Sequence, residues 1–124
     1  MHRFSLAARI MSAAALLAVL GIVAAPAPAL GARTHAAAAA VTVTATEFKF
    51  KLSKTSVAHG KVVFTLVNKG KLAHDFKING KKTSLIAAGK STKLTVTLAK
   101  GKFKYLCTVP GHAAAGMKGT FTAT

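Results

Sequence analysis

Acidic side chains are nearly missing from this chain. Among its 124 residues only Glu47 and Asp75 are acidic, against 18 lysines and arginines. The imbalance deepens along the sequence: from Val41 onward there are 15 lysines and no arginine, a formal charge of +13 with the histidines neutral. Such a field favours acidic partners, anionic cell-envelope polymers or acidic membrane surfaces; the alternative is a solvated surface that simply keeps the protein soluble. Cysteine is equally scarce. Cys107 stands alone, so no internal disulfide can form, and in an exported chain its thiol is left reactive, intermolecular or metal-bound. Length is short as well. The 84 residues from Val41 onward suffice for one small domain with one core, which excludes a multidomain architecture. A domain of this size needs extra stabilisation, and a metal site is one source of it.

The first three dozen residues read as a targeting segment. Arg3 and Arg9 precede an apolar run from Ile10 to Ala25, Pro26 and Pro28 then interrupt any helix, and small residues follow, as in a secretory signal peptide. Cleavage after Ala27, Ala29, Gly31, Ala32 or Ala36 fits that pattern. Residues 1–36 are therefore expected to be a signal peptide and processed linker, with the protein periplasmic, at the cell surface or extracellular. The alternative is an uncleaved membrane anchor, for which the run falls short of the roughly 20 residues a span requires. No cysteine lies near this segment to carry a lipid. His2 and His35 fall within it and are assigned no role.

Residues 41–124 read as a single all-β domain. Val41 to Thr46 and Phe48 to Leu52 alternate apolar and polar residues, with a slip of phase near Glu47 that predicts a bulge or strand break. Further strands are expected at Val62–Val67, Leu72–Ile78, a short Thr83–Ile86 piece, Thr92–Leu98, Lys102–Cys107 and Met117–Ala123. Turn pairs such as His59-Gly60, Asn79-Gly80, Lys100-Gly101 and Pro110-Gly111 separate them. No sustained helical periodicity follows the leader. The expected architecture is an antiparallel β-sandwich or barrel closing over one apolar face.

The chemistry concentrates in Cys107-Thr-Val-Pro-Gly-His112-Ala-Ala-Ala-Gly-Met117, where two equal four-residue spacers separate a thiol, an imidazole and a thioether. Soft sulfur suits Cu(I), imidazole is acceptable to Cu(II), and a Cys/His site with a distant thioether serves both. His74 is the candidate for a fourth ligand. Strand parity supports this set, because side chains two apart share a face. His74 falls in phase with Leu72, Phe76 and Ile78, Cys107 with Phe103 and Tyr105, and Met117 with Phe121, while Lys77, Lys102, Lys104 and Lys118 fall on the opposite faces.

The segments Leu-Ala-His74-Asp75-Phe76 and Tyr105-Leu-Cys107-Thr-Val-Pro-Gly-His112-Ala-Ala-Ala-Gly-Met117-Lys-Gly119, with Asn68-Lys-Gly70 upstream, resemble the cupredoxins, specifically small single-domain blue copper proteins of the plastocyanin, auracyanin and sulfocyanin kind. That resemblance implies a Greek-key antiparallel β-sandwich holding one type 1 copper through His74, Cys107, His112 and, axially, Met117. It implies single-electron transfer between larger redox proteins, with His112 as the exposed edge through which electrons leave. Many cupredoxins carry Asn after the first histidine; here Asp75 stands there, and its carboxylate is expected to brace the ligand loops by accepting a hydrogen bond from Thr108.

Several other readings are weaker. Zinc takes Cys and His readily but completes its tetrahedron with Cys, His or carboxylate, and a thioether is a poor substitute. Multicopper sites need histidines beside the cysteine, where Leu106 and Thr108 stand, and a dinuclear purple copper centre needs two cysteines. A cysteine nucleophile needs a base in an open cleft, so no enzyme is expected. Phe48-Lys-Phe-Lys51 interleaves aromatic and basic residues as single-stranded nucleic-acid binders do, but an amphipathic strand explains it, and no nucleic-acid partner is expected. The expected partners are redox proteins with acidic docking surfaces, with weak association at anionic envelope or membrane surfaces, for a monomeric protein. The rival functions are a copper carrier or storage protein of the cell envelope without redox cycling, and a basic envelope-binding module with a structural metal.

Overall fold

The computed structural model describes residues 21–28, 31 and 36–124. The chain divides into two units, residues 1–33 and 34–124, and the fold below is that of the second. The expected signal peptide lies mostly outside the described residues. Among the described residues no helix is long and apolar enough to cross a membrane.

Among the described residues nine strands form: β1 (Ala39–Thr46), β2 (Lys49–Leu52), β3 (Ser56–Val57), β4 (Gly60–Asn68), β5 (Lys77–Ile78), β6 (Lys81–Lys82), β7 (Ser91–Leu98), β8 (Gly101–Leu106) and β9 (Lys118–Ala123). They make a four-stranded sheet in the order β2-β1-β4-β7 and a five-stranded sheet in the order β3-β9-β8-β5-β6. The all-β sandwich expected from the alternating pattern is present. Its sheets are mixed rather than wholly antiparallel: β1 pairs parallel with β4, and β3 with β9. The parallel pairs arise because the chain leaves one sheet for the other between neighbours, so the returning strand arrives in the same sense.

Alternation explains which residues are inside. Val41, Val43 and Ala45 of β1, and Val62, Phe64 and Leu66 of β4, are buried, and Val96, Leu98, Phe121 and Ala123 join them from β7 and β9. The residues between them point outward, as a period of two requires. Phe64 is the hub: its ring centroid lies 5.2 Å from those of both Phe76 and Phe121. Phe76 in turn packs against Phe50 and Tyr105 at 5.4 Å. Each such side chain contributes roughly 1.5–3 kcal/mol of apolar burial.

The predicted Leu72–Ile78 strand is only partly a strand. Regular pairing begins at Lys77, and the segment before it is a loop joined to the rest by an isolated bridge between His74 and Ile86. His74, Phe76 and Ile78 are buried as their parity predicts, but Leu72 is 46% exposed. Its backbone N–H is taken by a side chain, Glu47, instead of a neighbouring strand, which frees it from the pleat. The Thr83–Ile86 piece likewise contributes only the Ile86 bridge, and the strand nearby is β6. The phase slip at Glu47 is a true break, a turn over Glu47 and Phe48 between paired β1 and β2.

Candidate metal centre

One end of the sandwich carries every buried polar residue found in the described chain: Asn68, His74, Asp75, Thr83 and His112. His74 arrives on the loop before β5, Cys107 directly follows β8, His112 lies in the turn after it, and Met117 directly precedes β9. The 107–117 loop is tied by its own backbone. The N–H of Cys107 donates to the carbonyl of Met117 at 3.0 Å, and the N–H of Met117 donates to that of His112 at 3.1 Å. Sulfur and imidazole are thereby presented from a short closed loop. Gly116, at φ 118°, takes a backbone conformation that side chains with a Cβ rarely adopt, and so lets the loop close.

Three of the four expected ligands converge. The ligand atoms of His74, Cys107 and His112 all lie within 4.8 Å of one another, and all three residues are buried. Nδ1 of His74 is 3.2 Å from Nδ1 of His112, and Cys107 Sγ is 4.0 Å and 3.6 Å from them respectively. Met117 is fully buried at the base of the same loop. A thiol, two imidazole nitrogens and a nearby thioether, with no carboxylate among them, are a donor set that fits copper of either charge and suits zinc or hard cations less well. Burial pushes the Cys107 thiol above its ordinary range, so a metal entering the site displaces a proton.

The surroundings hold these groups in place. Asp75 accepts the Thr108 N–H at 2.6 Å through Oδ1 and the Thr108 hydroxyl through Oδ2, the geometry expected of a brace between the two ligand loops. Asn68 donates to the carbonyls of Leu72 at 2.8 Å and Ile86 at 3.0 Å, and its own oxygen accepts the Gly70 N–H. One buried amide thus ties the chain before His74 to Ile86, the bridge partner of His74.

Two features differ from the sequence reading. His112 is not an open edge: it is 7% exposed, and Phe48, itself 39% exposed, packs edge-on to its ring at a centroid distance of 5.0 Å. Glu47 also belongs to this end. Its Oε1 accepts the backbone N–H groups of Lys71 at 2.6 Å and Leu72 at 2.7 Å, and lies 3.4 Å from Nε2 of His74. These bonds, led by that from Leu72, lower the Glu47 pKa from 4.5 to about 2. The sequence signal was present, since Glu47 sits at the phase slip and is one of two acids, but its partners are backbone groups that no side-chain pattern displays. His59, by contrast, is an exposed loop residue that donates from Nδ1 to the Thr124 carbonyl at 2.7 Å.

Comparison with known proteins agrees with this arrangement. A family model described as copper binding proteins, plastocyanin/azurin family, matches residues 37–124. Auracyanin-B of Chloroflexus aurantiacus is 51% identical over 43 residues, covering 34% of this chain and 18% of that protein. The chain thus spans less than a fifth of that relative's length. Among solved structures, reduced auracyanin from the photosynthetic bacterium Roseiflexus castenholzii is similar with a TM-score of 0.61 at 22% identity, covering 70% of this chain and 98% of the other. Auracyanin B is similar at 0.60 and 28% identity, covering 70% and 89%. An azurin from Methylomonas sp. strain J gives 0.57 at 18% identity, covering 71% and 99%.

Proposed function

From the premise that this chain belongs to the plastocyanin/azurin family of copper-binding proteins, with copper as its cofactor, we propose that it is an exported mononuclear type 1 copper protein that passes single electrons between larger redox proteins. The observation that carries this reading is the buried convergence of the His74 and His112 Nδ1 atoms on Cys107 Sγ. When bound, copper supplies a one-electron couple between Cu(I) and Cu(II). Cys107 would hold it through its sulfur, His74 and His112 through Nδ1, and Met117 would add a thioether, a weak donor that tunes the potential.

What the protein contributes is a site that does not have to rearrange. Cys107, His112 and Met117 sit on one self-bonded loop, and Asp75 ties that loop to the segment bearing His74. Burial of all four side chains keeps water from them. A fixed set of donors lets the charge state change with little reorganisation, which is what electron transfer requires and hydrolytic or nucleophilic chemistry does not.

The surface suits transient docking. In the folded unit the exposed large apolar side chains are Phe48, Leu72 and Leu85, and each belongs to the ligand end: Phe48 packs on His112, Leu72 is bound by Glu47, and Leu85 precedes the Ile86 bridge to His74. A partner docking there would meet Phe48 and reach His112 beneath it. Around this apolar end lies the lysine field. On the outer face of the five-stranded sheet, strand register groups Lys77, Lys82 and Lys118 about Leu106, beside Lys104. Charges of this kind steer an acidic partner without needing tight contacts.

The test is electron transfer itself. The copper-loaded protein is expected to show a reversible one-electron couple and to reduce an acidic redox protein at a rate falling about tenfold or more from low to high salt. A flat salt response would remove the steering. Loss of the metal at every reduction would make the protein a copper carrier instead.

A further inference from the structure

Of the two acidic residues in the chain, Asp75 is engaged with Thr108, whereas Glu47 lies behind His74. We propose that Glu47 is a positioning residue for the metal centre, holding the His74 ring with Nε2–H toward its carboxylate and Nδ1 toward Cys107 and His112, and placing a fixed negative charge behind that ligand. The proposal rests on the copper reading above and deepens it.

The geometry is built for one carboxylate. Glu47 Oε1 receives the N–H groups of Lys71 and Leu72, so its position is fixed by backbone before the histidine is considered. Gly70 lies directly beneath it: a Cβ there would meet the Glu47 carboxylate in the position it takes here and displace it. The chain carries 15 lysines, yet among the described residues the cationic or titratable nitrogen within 4.0 Å of this carboxylate is that of His74, not of a lysine. The two amide bonds hold the Lys71–Leu72 segment to the carboxylate, and an ion pair with a surface lysine would add little to them. A ligand histidine gains more, because a carboxylate at the far nitrogen fixes the tautomer, leaves the near nitrogen as a lone-pair donor, and raises its basicity. His74 is wholly buried while the Glu47 side chain is 30% exposed, so the charge acts across a short, partly desolvated gap. The added negative charge favours the metal state of higher charge.

A purely structural Glu47 would do no more than cap two amides, and the two roles separate in Glu47→Gln. The glutamine carbonyl oxygen accepts the same two N–H groups but carries no charge. We expect Glu47→Gln to weaken Cu(II) binding about tenfold with Cu(I) binding nearly unchanged, which raises the potential by about 59 mV. In the metal-free protein, ¹⁵N chemical shifts should show His74 as the Nε2–H tautomer, with a mixture of tautomers in Glu47→Ala. A wild-type potential in Glu47→Gln, or a proton on Nδ1 of His74 in the metal-free wild type, would overturn the proposal. If Glu47→Ala does not fold, the Glu47→Gln potential and the wild-type tautomer still decide. The tautomer measurement needs no metal, so failure of the copper reading, seen as a colourless wild type, is distinguishable from failure of the Glu47 role.

Discussion

Between the sheets the buried residues are Val41, Val43, Val62, Phe64, Leu66, Val96, Leu98 and Phe121, whereas at the loop end the buried set includes Asn68, His74, Asp75, Thr83 and His112. The first region is held by apolar area, which is non-directional and tolerant of detail. The second is held by hydrogen bonds with specific partners: Asp75 to Thr108, Asn68 to Leu72 and Ile86, Thr83 to the Phe76 N–H at 3.0 Å. Among the described residues no buried side-chain nitrogen or oxygen lacks a partner, so the polar end is fully connected. Polar groups buried this way are costly when a single partner is removed. The sandwich therefore supplies stability, and the loop end converts part of it into a preorganised ligand set.

That division can be broken from either side. Phe64→Ala, at the centre of the aromatic cluster and bonded to none of the ligand side chains, is expected to lower stability by about 3–5 kcal/mol while leaving the visible spectrum of the copper-loaded protein unchanged. Chemical denaturation and absorption on the same sample check both halves. A shifted spectrum would show that the two regions are not separable. Asp75→Ala works from the other side. It strands the Thr108 N–H and hydroxyl at a smaller cost of about 1–3 kcal/mol, but it should lower copper affinity about 10–100-fold and alter the spectrum. If affinity, spectrum and stability all stayed at wild-type values, the brace between the ligand loops would not exist.

The same division explains what was legible in the sequence. Strands β1, β4, β7, β8 and β9 are long enough for their alternation to show, and their buried residues fall where the period of two puts them. Ser56–Val57 and Lys81–Lys82 are two residues each and carry no period, so β3 and β6 were invisible. The loop end was legible only where chemistry repeats at fixed spacing, as from Cys107 to Met117, or where one side chain addresses a known neighbour, as Asp75 does Thr108. Leu72 keeps the alternation of a strand without being in one, because the N–H groups of Lys71 and Leu72 bind Glu47 across 24 and 25 residues of sequence. The covering of His112 by Phe48 is of the same kind, a contact between two loops that neither announces by itself.

Cys107, His74 and His112 act as one copper-binding unit, and adding Cu(II) to the purified protein shows whether they do. An intense thiolate-to-copper charge-transfer band is predicted in the visible spectrum, saturating at one metal per chain and absent in Cys107→Ser. A colourless product, or a band that survives Cys107→Ser, would contradict it.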